Sequence, residues 1–171
     1  MANEVFQVKV VKPKKMKVGP MRNAIVSAVG SEAKWARDQM KRTISGWQGV
    51  KPVIDMDASV KGGDLSYLVA PSGPAKGVQK WNWLDQGTRP HRITAKRAKT
   101  LRFQVNYAAG TSPGSLDSYP GGSWGATRYP RSVWHPGFPA RGWTEMIYKK
   151  GTPRFQKAVI AATKTGAHKF Y

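Results

Sequence analysis

One stripe of apolar side chains sets the first limit on what this chain can fold into. From Pro20 to Ile44, the residues Met21, Ile25, Ala28, Val29, Ala33, Ala36, Met40 and Ile44 recur every three or four positions, the spacing that gathers side chains on one face of an α-helix. A helix with one apolar face needs an opposing layer to cover it. Gly30 lies inside the stripe and costs about 1 kcal/mol relative to Ala, a penalty that packing of the stripe outweighs. Ser45-Gly46 ends the helix.

The opposing layer is legible as short strands. Phe6, Val8 and Val10 alternate with Gln7 and Lys9, and a basic connector with four Lys follows from Lys12 to Lys17. After the helix, strand character recurs at Val53 to Val60, Leu65 to Val69, Val78 to Leu84, Leu101 to Val105 and Ser132 to Trp134. Gly62-Gly63-Asp64 reads as a turn that makes the first two a hairpin. Residues from Arg141 to Thr165 have helical character interrupted at Gly151-Thr152-Pro153. This predicts a short helix, a break, and a second helix with Thr152 as cap, Pro153 at its first position, and Phe155, Ala158, Val159 and Ala162 facing inward. The expected fold class is α+β: a long N-terminal helix packed on a small, mainly antiparallel sheet, with a C-terminal helix or helices and a long Gly/Pro-rich loop. The expected organisation is a single domain over 1–171, divided into an N-terminal strand and basic connector (1–19), helix plus strands (20–105), a long loop or arm (106–131), and a last strand with C-terminal helices (132–171).

Composition narrows the function classes. Lys and Arg number 29 against 9 Asp and Glu, a formal net charge of +20, in a chain still 40% apolar and 11% aromatic. That is too apolar for wholesale disorder, so the surplus charge belongs on surfaces and arms. Its long-range field suits nucleic acid, a membrane surface or an acidic protein face alike. The absence of Cys excludes disulfides, thiolate metal sites and a Cys nucleophile. No run approaches the roughly 18 apolar residues that span a bilayer, and the N-terminus lacks a signal-peptide core, so a soluble, non-secreted protein is expected.

Catalytic patterns are weak. Gly121-Gly122-Ser123-Trp124-Gly125 matches G-x-S-x-G, but that motif needs a strand before Ser123 and a helix after it, whereas Tyr119-Pro120 precedes and Tyr129-Pro130 follows. His91, His135 and His168 are far apart in sequence and show no metal-ligand spacing. Asp55 and Asp57 share a strand face and are read as solvated acids. No phosphate-cradling glycine motif is present, and no catalytic, cofactor or metal site is expected. The densest basic stretch, His91 to Lys99, fits a solvated loop or a phosphate-contacting one equally well. The segment Asn106 to Arg131 is rich in Gly and Pro yet carries Tyr119, Trp124 and Tyr129, large rings that need a cover. It is expected to be an assembly arm, mobile in the isolated protein and ordered on a partner.

Two stretches remain distinctive: Trp81 to Ile93, which contains Trp83, Asp85, Gly87, Thr88, Pro90 and His91, and Val133 to Arg141, which contains His135, Pro136, Gly137 and Arg141. An aromatic strand running into Asp-x-Gly-Thr-x-Pro-His-x-Ile, a Lys/Ala stretch into Leu-x-Phe, then Val-x-His-Pro-Gly and an Arg opening a helix resembles the neck or tail-completion proteins of long-tailed bacteriophages, the minor-tail-protein-Z-like family. The resemblance covers most of the chain, with the Gly/Pro/aromatic insert and the basic N-terminal connector as departures. It implies a non-enzymatic virion protein of the head–tail junction, made in the host cytoplasm. It also implies a homo-oligomeric ring of six or twelve copies that meets a head connector or adaptor and tail-terminator or tail-tube proteins, with no cofactor and no membrane. A basic protein that binds DNA non-specifically is the alternative. The turns at Gly87 to His91 and His135 to Gly137 are expected to lie side by side, capping strands of one small sheet.

Overall fold

A computed structural model describes residues 6–10, 19–61 and 64–168. The Lys12–Lys17 connector and the Gly62-Gly63 turn lie outside the described residues. The sequence reading treats 1–171 as one domain; by packing, the chain resolves into two compact units. The first is Met1–Lys41, Val53–Ser72 and Thr144–Tyr171, and the second is Arg42–Pro52 and Gly73–Trp143. The architecture is the expected mixture of helices and antiparallel strands.

In the first unit, the predicted apolar stripe forms helix α1 (Gly19–Ile44), whose last turn passes into the second unit. Val29, Ala33, Ala36 and Met40 are fully buried along it. Strands β1 (Phe6–Val10), β2 (Val53–Lys61) and β3 (Asp64–Ser72) make an antiparallel sheet in the order β1-β3-β2. The register Lys61↔Asp64 through Val53↔Ser72 joins β2 and β3 as the expected hairpin. Period-two alternation governs β2: Ile54 is buried, whereas Val53, Asp55 and Asp57 face solvent. Asp55 accepts a hydrogen bond from the Ser72 hydroxyl, as a surface acid does.

Helix α3 (Trp143–His168) supplies the remaining layer, with Phe155 and Val159 packed beside Ile25, Leu65 and Tyr67 around Val29. Gly30 leaves room for the Tyr67 hydroxyl, 3.2 Å from where a Cβ would stand. A partly buried ion pair fastens the two helices: Arg154 donates to both Glu32 oxygens at 3.0 and 3.3 Å and lies 4.7 Å from the Trp35 ring centroid.

The break expected at Gly151-Thr152-Pro153 is not there; α3 runs through it. Pro153 has no N–H to give the Lys149 carbonyl. Thr152 is not a cap, because its hydroxyl donates to the Tyr148 carbonyl at 2.9 Å from within the helix. Gly151 is buried with no side chain to place, and the apolar face beyond it outweighs the missing hydrogen bond.

In the second unit, the strand expected at Val78 to Leu84 is instead helix α2 (Ala75–Gln86). The Pro74 carbonyl accepts from Gly77 and Val78 at 2.8 and 3.1 Å to start it. Gly77, Trp81 and Asp85, four residues apart, form its buried face. Valine and tryptophan favour strands intrinsically, but burial of Trp81 overrides that preference.

The rest of the unit is one interrupted ribbon. Strands β4 (His91–Thr94) and β9 (Ser132–His135) pair antiparallel, then β5 (Phe103–Gln104) with β8 (Thr127–Arg128), then β6 (Tyr107–Ala108) with β7 (Gly122–Ser123). An isolated bridge joins Thr111 to Ser118. The strand expected from Leu101 to Val105 shrinks to Phe103–Gln104. Residues 106–131, expected to lack structure of their own, are the distal half of this hairpin.

Removing Pro153 tests the continuity of α3. Pro153→Ala restores the Lys149 hydrogen bond in an unbroken helix and should stabilise the fold by about 1 kcal/mol or more, read as a raised thermal midpoint. A proline at the start of a separate helix would give no gain.

Candidate functional site

The two distinctive turns interlock within the second unit. Thr88 N–H donates to the Phe138 carbonyl at 2.9 Å, and Phe138 N–H returns bonds to Thr88 O and Oγ1 at 3.2 and 3.0 Å. From this clamp the ribbon departs with His91 opposite His135. Their rings stack with centroids 5.2 Å apart, and Phe138 meets His135 edge-on at 4.8 Å. His91 Nδ1 lies 2.9 Å from the Arg89 carbonyl, which can only accept, so that nitrogen carries hydrogen. His135 Nδ1 accepts from Gly137 N–H at 3.0 Å, so it is bare. Both Nδ1 atoms are committed to their own turns.

Glycine is required at both corners. Gly137 has φ +85°, and a Cβ there would stand 2.2 Å from the Thr88 carbonyl oxygen. Gly87 has φ +76°, with the Phe138 carbonyl oxygen 2.7 Å from its Cβ position.

Behind the clamp, Arg141 is buried and ties the ribbon to its base. Its backbone N–H donates to Leu84 O at 2.9 Å, and its Nε donates to Thr111 Oγ1 at 3.2 Å. Burial pulls the guanidinium pKa below the ordinary arginine value. Asp85, buried in α2, accepts through its carbonyl from Gly142 N–H at 3.0 Å. Trp83, Pro90, His91 and Pro136 stand exposed.

The segment 106–131, expected to be a mobile assembly arm, behaves differently from its composition. Its tip is bound down: Trp143 Nε1 donates to Ser115 O at 2.9 Å, Asp117 pairs with Arg42 at 2.6 Å, and Ser118 Oγ accepts from Gly46 N–H at 2.8 Å. Leu116 is buried. The rings singled out in the arm remain outside: Trp124 is 81% exposed, Tyr119 67% and Tyr129 59%. Between tip and base opens an aromatic cleft of about 340 Å³, lined by Trp47, Trp83, Tyr107, Tyr119, Phe138 and Lys80 among others. The Lys80 ammonium lies 4.3 Å over the Trp47 ring. Desolvation first, and the Lys51 charge second, hold its pKa below the ordinary lysine value.

Trp47, Trp81, Trp143 and Thr111 are the anchors that sequence reading misses. Trp81 and Trp143 pack with centroids 5.6 Å apart, and Trp81 Nε1 donates to Thr43 Oγ1 at 3.0 Å. The one available signal was the Gly77/Trp81/Asp85 spacing, which is helical. Ser123 sits in the two-residue strand β7 with no helix after it. Among the described residues no group of three His, Cys, Asp or Glu could hold a metal ion, and no helix is long and apolar enough to cross a membrane. Comparison with protein-family models, curated proteins and solved structures finds no match.

The clamp predicts an order of damage. Gly137→Ala should destabilise by about 2 kcal/mol or more, since a left-handed φ alone costs roughly 1–2 kcal/mol for a residue with a Cβ. His91→Ala and His135→Ala, each removing one ring of a stack, should cost about 1 kcal/mol or less. Denaturant midpoints for the three variants give the comparison; a histidine change as damaging as Gly137→Ala would refute the structural assignment.

Proposed function

We propose that this chain is a structural protein of a tailed-bacteriophage neck, completing the tail or joining it to the head connector, and that it works by protein–protein contacts in an oligomeric ring rather than by catalysis. The observation that carries the reading is the pairing of a fixed clamp with an uncovered aromatic surface. The motifs that carry the family resemblance meet in one place, Thr88 against Phe138 and His91 against His135. The same unit exposes Trp83, Tyr107, Tyr119, Trp124, Tyr129 and Trp134. Aromatic rings are enriched at the centres of protein interfaces, where they bury large areas at small entropic loss. A ribbon whose base and tip are both fastened holds such rings in place before a neighbour arrives, which lowers the ordering entropy of association.

Mass spectrometry of purified virions tests the reading directly: the chain should be present as a particle component, and its absence would remove the proposal. In a complementation assay, the double variant Tyr119→Ala/Trp124→Ala should fold normally, because both rings are exposed, yet leave heads and tails unjoined. Ser123→Ala should assemble normal particles. Stoichiometric labelling of Ser123 by a serine-reactive probe would instead favour a hydrolase.

A further inference from the structure

The two limbs of the ribbon do not match in length. Between the pairs Thr94↔Ser132 and Phe103↔Arg128, the outgoing limb takes nine steps while the returning limb takes four. The surplus is gathered at one point, because Ala95 N–H donates to Arg131 O at 3.0 Å and Leu101 N–H donates to the adjacent carbonyl, Pro130 O, at 2.8 Å. Residues 96–100 are thereby closed into a loop standing on two successive carbonyls of the returning limb. Lys96, Arg97 and Lys99 lie in that loop and Arg102 follows it, all exposed. Arg131, also exposed, is at its foot.

The electrostatics of the ribbon are one-sided. From Thr88 to Phe138 there are eight Lys and Arg and one acid, Asp117, and Asp117 is paired with Arg42 outside the ribbon. Among the described residues, none of the loop cations takes part in an ion pair. A turn that only reversed the chain would not need the extra length, and cations gathered without counter-charge repel one another unless an anion joins them. The loop holds the main-chain ends fixed and leaves long basic side chains free to reach a regular array of phosphates.

We propose that the loop at 96–102 is a phosphate-contacting site for duplex DNA. It carries no Asn, Gln or acid with which to read base edges, so the contact is to the backbone and independent of sequence. The proposal goes beyond the assembly reading and stands or falls separately, since it needs only the purified chain and a duplex.

The test compares two variants with equal charge loss. One replaces Lys96, Arg97, Lys99 and Arg102 with Gln; the other replaces Lys34, Lys41, Lys150 and Lys157, exposed cations of α1 and α3, with Gln. Binding to a short random-sequence duplex is followed by fluorescence anisotropy across a salt series, and thermal melts establish that both variants are folded. The loop variant should bind at least about tenfold more weakly at low salt, with a slope of log affinity against log salt shallower by about 0.9 for each phosphate that the altered loop no longer neutralises. The helix variant should keep most of the unaltered chain's affinity and slope. Equal losses in the two variants would reduce the effect to net charge and overturn the proposal. So would equally tight binding of polyglutamate, which would assign the loop to an acidic protein face, or tighter binding of the single strand than of the duplex. If one loop variant unfolds, the single changes Arg97→Gln and Lys99→Gln are compared with Lys150→Gln by the same criteria.

Discussion

A single buried N–H organises the second unit. Trp143 is fully buried, packs at 5.6 Å on Trp81 and 6.5 Å on Trp47, and gives its indole hydrogen to the Ser115 carbonyl at the far end of the ribbon. A buried indole N–H without an acceptor costs roughly 1–3 kcal/mol, so the aromatic cluster demands an acceptor from outside itself. The chain satisfies it by bringing the tip of a hairpin back onto its own base. Everything between base and tip is then closed at both ends, by the Thr88–Phe138 clamp and by the Trp143–Ser115 bond.

This closure accounts for what the sequence conceals. A stripe such as Met21 to Ile44 repeats at a fixed interval, so its helix is visible without any knowledge of partners. The β2–β3 hairpin was legible for the same reason, since alternation and turn residues act locally, whereas the nearness of the His91 and His135 turns followed from placing both at the ends of strands in one small sheet. Trp81 belongs to a different class: its neighbourhood has strand-like composition, and only its burial against Trp143 makes the helix the better conformation. The continuity of α3 through Pro153 is similar. The local rule says stop, and Phe155 and Val159, packed around Val29, carry the helix onward.

Glycine and proline in residues 106–131 are the clearest case of one composition with two meanings. Abundant glycine raises the entropy of an unfolded segment, and for that reason suggests disorder. Here it permits close approach of the ribbon's limbs: a Cβ on Gly110 would stand 1.9 Å from the Tyr119 carbonyl oxygen, and Tyr119 N–H bonds to Gly110 O at 2.7 Å. Local sequence cannot distinguish these meanings, because the deciding atom lies nine residues away on the other limb. The exposed Trp124 and Tyr129 kept their expected character for the opposite reason: nothing within the second unit needs them.

Charge and aromatic surface on the ribbon also constrain how copies could meet. Eight cations against one acid along Thr88 to Phe138 make two ribbons brought side by side repel over distances of about 8 Å at physiological salt. Stacking of exposed rings acts only at contact, so association through the rings has to overcome that repulsion first or proceed where the basic loops are held apart. A polyanion on the loop side removes the repulsion without occupying Tyr119 or Trp124. Were both proposals correct, the two surfaces would be coupled: an anion bound at 96–102 would favour association of copies, and by linkage the associated copies would bind that anion more tightly than a single copy does.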